Sequence, residues 1–130
     1  MSLKVEIKPG ERIIIGESIV TNNGHRAKLV IDGDAPILRE KDIMRPDGAD
    51  TPCKRIYLMI QMMYFATDPK VHFDLYFDLI REVQQAAPST AAQIDAINNQ
   101  ILTGFYYKAL KQAQALIAYE KELMEHAECS

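Results

Sequence analysis

Residues able to do covalent or metal chemistry are few and dispersed in this chain. His25, His72 and His126 lie far apart from one another, and Cys53 and Cys129 form no CxxC. Neither a disulfide framework nor a clustered zinc site is therefore expected. Asp74, Asp78 and Glu82 recur at i, i+4 and i+8. On a helix that spacing puts three carboxylates on one face, fit for a cation or for acid–base work and equally for a plain solvated surface. No GxxxxGK and no GxGxxG is present to cradle a phosphate. Catalysis needs converging groups, and these do not converge. The reading is a non-enzyme with no cofactor and no metal.

Binding chemistry is better represented. Lys4, Lys8, Arg12, Arg26, Lys28 and Arg39 supply cations in the first third of the chain. The 130 residues carry a net charge of −3, with 15 Lys/Arg against 18 Asp/Glu. Bulk charge therefore cannot hold nucleic acid, and any such contact must be a local patch. Tyr57, Tyr64, Tyr106 and Tyr107 could stack on unpaired bases, but beside Met59, Met62 and Met63 they fit a helical core as well. Methionine-rich helices also make adaptable partner surfaces, so Met59, Met62, Met63, Tyr106 and Tyr107 are candidates for a protein-binding site.

The elements that would position these residues change character near residue 48. Leu3, Val5 and Ile7 alternate with Lys4, Glu6 and Lys8, the period of a half-buried strand. Further short strands are predicted at 13–15, 18–21, 26–31 and 36–40, parted by Pro9-Gly10, Gly16-Glu17, Asn22-Asn23-Gly24 and Asp32-Gly33-Asp34. Asn22-Asn23-Gly24 carries a hairpin signal because Asn and Gly tolerate positive φ. Beyond the linker 45–50, Thr51-Pro52 reads as a cap and first position of a helix over 52–66. Asp68-Pro69 opens a second helix, with Val71, Leu75, Leu79 and Val83 as its apolar stripe. Ser89 or Thr90 caps a third, holding Ile94, Ile97, Ile101 and Leu102 and ended by Gly104. A fourth, 105–127, sets Tyr106, Leu110, Ala113, Ile117, Tyr119 and Leu123 on one side. The expected fold is α+β, a small antiparallel β-sheet or barrel lobe (1–48) followed by a helical bundle of about four helices (49–130). Five short strands leave edges that need covering, which points to a closed homo-oligomer.

Two segments carry a resemblance. LKVEIKPGERIIIGE (3–17) with AKLVIDGDAPILREKDI (27–43), and GFYYKALKQAQALIAYE (104–120) after the TPCKRIYLMIQMMY helix, together resemble the FlbT family of flagellar biosynthesis regulators. The resemblance covers nearly the whole chain. It implies post-transcriptional control of flagellin synthesis through the 5′ untranslated region of the flagellin messenger, alongside a second small regulator, FlaF. Residues 3–17 are also similar to the first hairpin of carbon storage regulator (CsrA-type) proteins, small RNA-binding β-dimers. The common frame is Leu3, Lys8, Gly10-Glu11, Ile13 to Ile15 and Gly16-Glu17, with Leu38-Arg39-Glu40 resembling the last strand. That likeness implies RNA-contacting roles for Arg39 and Lys8, and in a five-stranded antiparallel lobe the first strand could lie beside the last, whether within one chain or across a dimer. Ile7 and Glu6 depart from it, standing where that family has a basic residue and a threonine-like one.

Three functions follow. The first is binding of flagellin mRNA through Lys4, Lys8, Arg12, Arg26, Lys28 and Arg39. The second is an adaptor role, with the helical lobe gripping flagellin or FlaF. The third is a small enzyme, for which no constellation argues. The N-terminus lacks a signal-peptide pattern and no apolar run reaches the roughly 18 residues of a membrane span, so the expected location is cytoplasmic.

Overall fold

The computed structural model describes residues 2–129 along the backbone and the side chains of residues 2–127. The chain divides into two compact units, residues 1–43 and 44–130. The first holds β1 (Ser2–Ile7), β2 (Arg12–Ile15), β3 (Ser18–Thr21), β4 (Ala27–Asp32) and β5 (Ile37–Arg39). The second holds α1 (Pro52–Phe65), α2 (Phe73–Ala86), α3 (Ala91–Leu102) and α4 (Tyr106–Cys129). This is the expected α+β class.

The strands form two antiparallel sheets, β1–β4 and β3–β2–β5. Alternation in β1 and β4 sends Val5, Ile7, Leu29 and Ile31 inward, where they pack with Ile13, Ile15 and Ile37 of the other sheet. A two-residue turn joins β2 to β3, with Gly16 at φ +59 as its first central residue. That conformation is the reason for a glycine there.

Within one chain, two expectations for this unit fail. The first strand pairs with β4 and the last with β2, so β1 and β5 are not ladder neighbours. Asn22-Asn23-Gly24 is not a hairpin tip either, because none of the three has positive φ. The segment carries the chain from one sheet to the other. The Asn22 amide donates to the carbonyls of Ile7 (3.0 Å) and His25 (2.8 Å), and its oxygen accepts from the Gly24 N–H (3.1 Å). The side chain thus satisfies backbone groups that a hairpin ladder would otherwise have taken.

In the second unit, Thr51 caps α1 by accepting from the Lys54 N–H at 3.2 Å, with Pro52 at the first position. A carboxylate from α4 completes this end: Glu120 accepts from the Thr51 hydroxyl (2.5 Å) and the Cys53 N–H (3.1 Å). Gly104, at φ +83, ends α3 as expected, the Phe105 N–H reaching back to Gln100 O at 2.8 Å. Thr90 precedes α3 but turns its hydroxyl to Ala87 O instead of capping.

The helices run alternately up and down. Thr51, Tyr57 and Tyr64 of the α1 segment meet Glu120, Gln114 and Tyr107, so α1 and α4 are antiparallel. Tyr76 of α2 donates to Asn98 of α3 at 2.7 Å.

The apolar stripes differ from expectation in three helices. In α2 the buried residues are Tyr76, Ile80 and Val83, while Val71 (67% exposed) and Leu75 (62%) face solvent. A strict four-residue spacing drifts about 40° per step around a helix, whereas 76/80/83 stays on one face. Leu102 is likewise 67% exposed, leaving Ile94, Ile97 and Ile101 to the core. In α4 the core is Ala109, Leu110, Ala113 and Leu116.

Candidate nucleic-acid interface

The ladder β1–β4 fixes which side chains share a face. Glu6 pairs with Lys28 and Lys4 with Val30, and side chains directly opposite in a ladder lie on the same face. Continuing that register one step sets Lys8, just past β1, opposite Arg26, just ahead of β4. Lys4, Lys8, Arg26 and Lys28 therefore form one solvent-exposed face with Glu6 among them, and Asp32, opposite Ser2, lies at the far end of the same face. Arg26 donates to Glu6 Oε1 at 3.0 Å. Among the described residues, Lys4, Lys8 and Lys28 enter no ion pair. A shallow groove of about 310 Å³ runs along this surface, lined in part by Lys4, Glu6, Lys28 and Val30. Val30, 60% exposed, supplies an apolar spot between the charges.

Arg12 and Arg39 lie on the other sheet, and both are engaged. Arg12 Nε is 3.2 Å from Glu40 Oε1, and its backbone N–H donates to Glu40 Oε2 at 3.3 Å. Arg39 donates to the backbone carbonyl of Glu6 at 2.9 Å and stands 3.6 Å from the Glu11 carboxylate. Glu11 in turn accepts from the Lys8 N–H at 3.1 Å. Glu11 thus ties the Arg39 side chain to the backbone of Lys8, although their strands are not paired. Arg39 braces β5 against β1 and its following turn. The six candidates separate into four on one face and two that tie strands together. Glu6, Glu11 and Glu40 decide that division. Alternation along β1 was the signal that could have found Glu6 at the centre of the cationic face.

The candidate partner residues separate too. Met59 and Met63 are buried in the helical unit and cannot meet a partner. Each sits on the inward stripe of α1 with Ile56 and Ile60. Met62 and Tyr107 are both 44% exposed. The Tyr107 ring lies 5.9 Å from that of Tyr64 and beneath the Lys111 ammonium. Tyr106 is half-buried, its phenol pushed up by burial and by Asp68.

The chemistry-bearing residues stay dispersed. Burial, with Glu120 beside it, pushes the Cys53 thiol up to about 12, far from a reactive thiolate. His126 and Cys129 stand three positions apart on α4, a spacing that could pair two ligands, but the Cys129 side chain lies outside the described residues. Among the described residues no group of three His, Cys, Asp or Glu could hold a metal ion. No helix there is long and apolar enough to cross a membrane.

Comparison with known sequences gives a consistent set of relatives. The family described as "Flagellar protein FlbT" matches residues 3–124. The chain is 53% identical over 124 residues to the "Probable flagellum biosynthesis repressor protein FlbT 1" of Bradyrhizobium diazoefficiens, covering 95% of this chain and 85% of that one. It is 52% identical over 124 residues to a Rhodopseudomonas palustris protein named probable flagellum biosynthesis repressor FlbT, covering 95% and 98%. The Caulobacter vibrioides "Flagellum biosynthesis repressor protein FlbT" is 34% identical over 129 residues, covering 97% and 92%. No solved structure matches the chain.

Proposed function

The chain belongs to the FlbT family of flagellar proteins, and we propose that it regulates flagellum biogenesis after transcription by binding the 5′ untranslated region of flagellin mRNA and controlling its translation and degradation. Relatives named as flagellum biosynthesis repressors support the regulatory role. The observation that carries the RNA reading is the face of Lys4, Lys8, Arg26 and Lys28 around Glu6. Four cations against two carboxylates, Glu6 and Asp32, make a local positive patch on a chain whose net charge is −3, as phosphate binding by an acidic protein requires. Single-stranded loops suit such a surface, since their bases are open to side chains while the deep groove of duplex RNA is not.

The test is affinity for the flagellin leader at two salt concentrations, beside a scrambled leader. Binding that weakens with salt and prefers the true leader supports the proposal. Equal binding to both, or a slope near zero, sinks it.

A second reading rests on a separate observation, the exposed Met62 and Tyr107 of the helical unit. In that reading the helices act as an adaptor for flagellin or FlaF without RNA contact. Its mark is binding that depends on these apolar residues and little on salt.

A further inference from the structure

Six of the seven exposed large apolar residues among the described side chains of the helical unit gather at one end, Met124 alone lying towards the other. Alternation of the helices puts the α1–α2 connection (66–72) and the α3–α4 connection (103–105) at the same end. Met62, Val71, Leu75, Leu102, Phe105 and Tyr107, all at least 44% exposed, belong to the helix turns and connections at that end. Asp68, in the first connection, acts on the phenol of Tyr106, at the start of α4. Tyr64 of α1 and Tyr107 of α4 pack their rings there. A concentration of apolar surface at one end of a water-soluble bundle marks an interaction site.

Charge at this end is segregated. At the start of α2 the chain carries Asp74, while Asp78 further along the helix is paired with Arg81. Asp68 and Lys70 cancel just before. From 103 to 119 the chain carries Lys108 and Lys111 and no acid. The two ammonium groups sit over the rings of Phe105 (5.0 Å) and Tyr107 (5.3 Å), so cation and aromatic surface are presented together. One side of the end is apolar and acidic, the other aromatic and basic.

These halves lie on opposite corners. α1 neighbours α2 and α4, α4 neighbours α3, and Tyr76–Asn98 links α2 to α3, which orders the helices α1, α2, α3, α4 around the bundle. A two-fold axis across the end along the α1–α3 diagonal lays α2 of one copy over α4 of the other, and the converse contact follows by symmetry. An isologous interface needs this self-complementarity. We infer that the partner of this end is a second copy of the chain, docked end to end with Val71 of the α1–α2 connection and Asp74 and Leu75 of α2 in each copy against Phe105, Lys108 and Lys111 of the other.

Charge reversal on the full-length protein tests this by sedimentation at micromolar concentrations. The wild type should be a dimer that weakens as salt rises. Asp74→Lys should dissociate at least about tenfold more readily, as should Lys108→Glu/Lys111→Glu, because each variant opposes like charges at both symmetric contacts. Mixing the two should restore dimers, since every reversed contact is then attractive. Leu75→Ser/Phe105→Ser should be monomeric at any salt. Circular dichroism melts near the wild-type value show that each variant folds. A wild type that stays monomeric, an oligomer untouched by the reversals, or a mixture that fails to recover each overturns the inference. So does a monomer that binds a different, basic protein at α2.

Discussion

Arg39 carries the sharpest conflict between chemistry and context. A guanidinium can bind phosphate or a base edge bidentately, yet this one is already committed to the Glu6 carbonyl and the Glu11 carboxylate. Arg39→Ala should therefore cost stability, about 1 kcal/mol, and urea denaturation would show it as a lower midpoint. Lys4→Ala and Lys28→Ala should leave the midpoint within about 0.5 kcal/mol of wild type while weakening leader binding and flattening its salt dependence. An Arg39→Ala protein of unchanged stability would mean that the brace contributes nothing. Cys53 makes a second test. Its thiol, pushed up to about 12, should resist alkylation at pH 8 until the protein unfolds. The sign for stability follows from the same shift. As pH rises past the ordinary thiol value, the unfolded chain loses its proton first, so folded stability falls between about 9 and 12.

At the scale of elements, burial in α2 overrides the stripe that spacing alone suggests. Ile80 is 3% exposed and Leu75 62%. Ile80→Ala should cost about 2–4 kcal/mol, whereas Leu75→Ala, measured at concentrations too low for self-association, should change stability by no more than about 0.5 kcal/mol. Equal effects would put the buried face elsewhere. Asn22 matters in the same way to the strands. Three hydrogen bonds from one side chain hold the crossing between sheets, and Asn22→Ala should lower stability by about 1–3 kcal/mol. Asn22→Asp keeps one acceptor and loses both donations, so it should recover little. Glu120 acts across elements, supplying from α4 the acceptors that the first turn of α1 lacks.

For the molecule as a whole, net charge and local charge oppose each other. A chain of net charge −3 should bind RNA only where cations outnumber acids. With each neutralised single-strand phosphate worth about −0.7 in log–log salt slope, the β1–β4 face should give a slope of about −2 to −3. A slope much steeper would require cations beyond this face. Much of the molecule's architecture was legible beforehand. Val5 and Ile7 alternating with Glu6, the Thr51-Pro52 start and the Gly104 stop are local signals, and local backbone physics obeys them. The likeness of 3–17 and 104–120 to the FlbT family also lay in the residues themselves. Which strands pair, whether Asn22 turns a hairpin or joins two sheets, and whether Leu75 or Tyr76 faces the core were not local questions. Each depends on partners far away in sequence: Ile7 for Asn22, Asn98 for Tyr76, Glu6 and Glu11 for Arg39. Side-chain type and spacing state what a residue can do, and only the tertiary neighbours decide whether that capacity is already spent inside the fold.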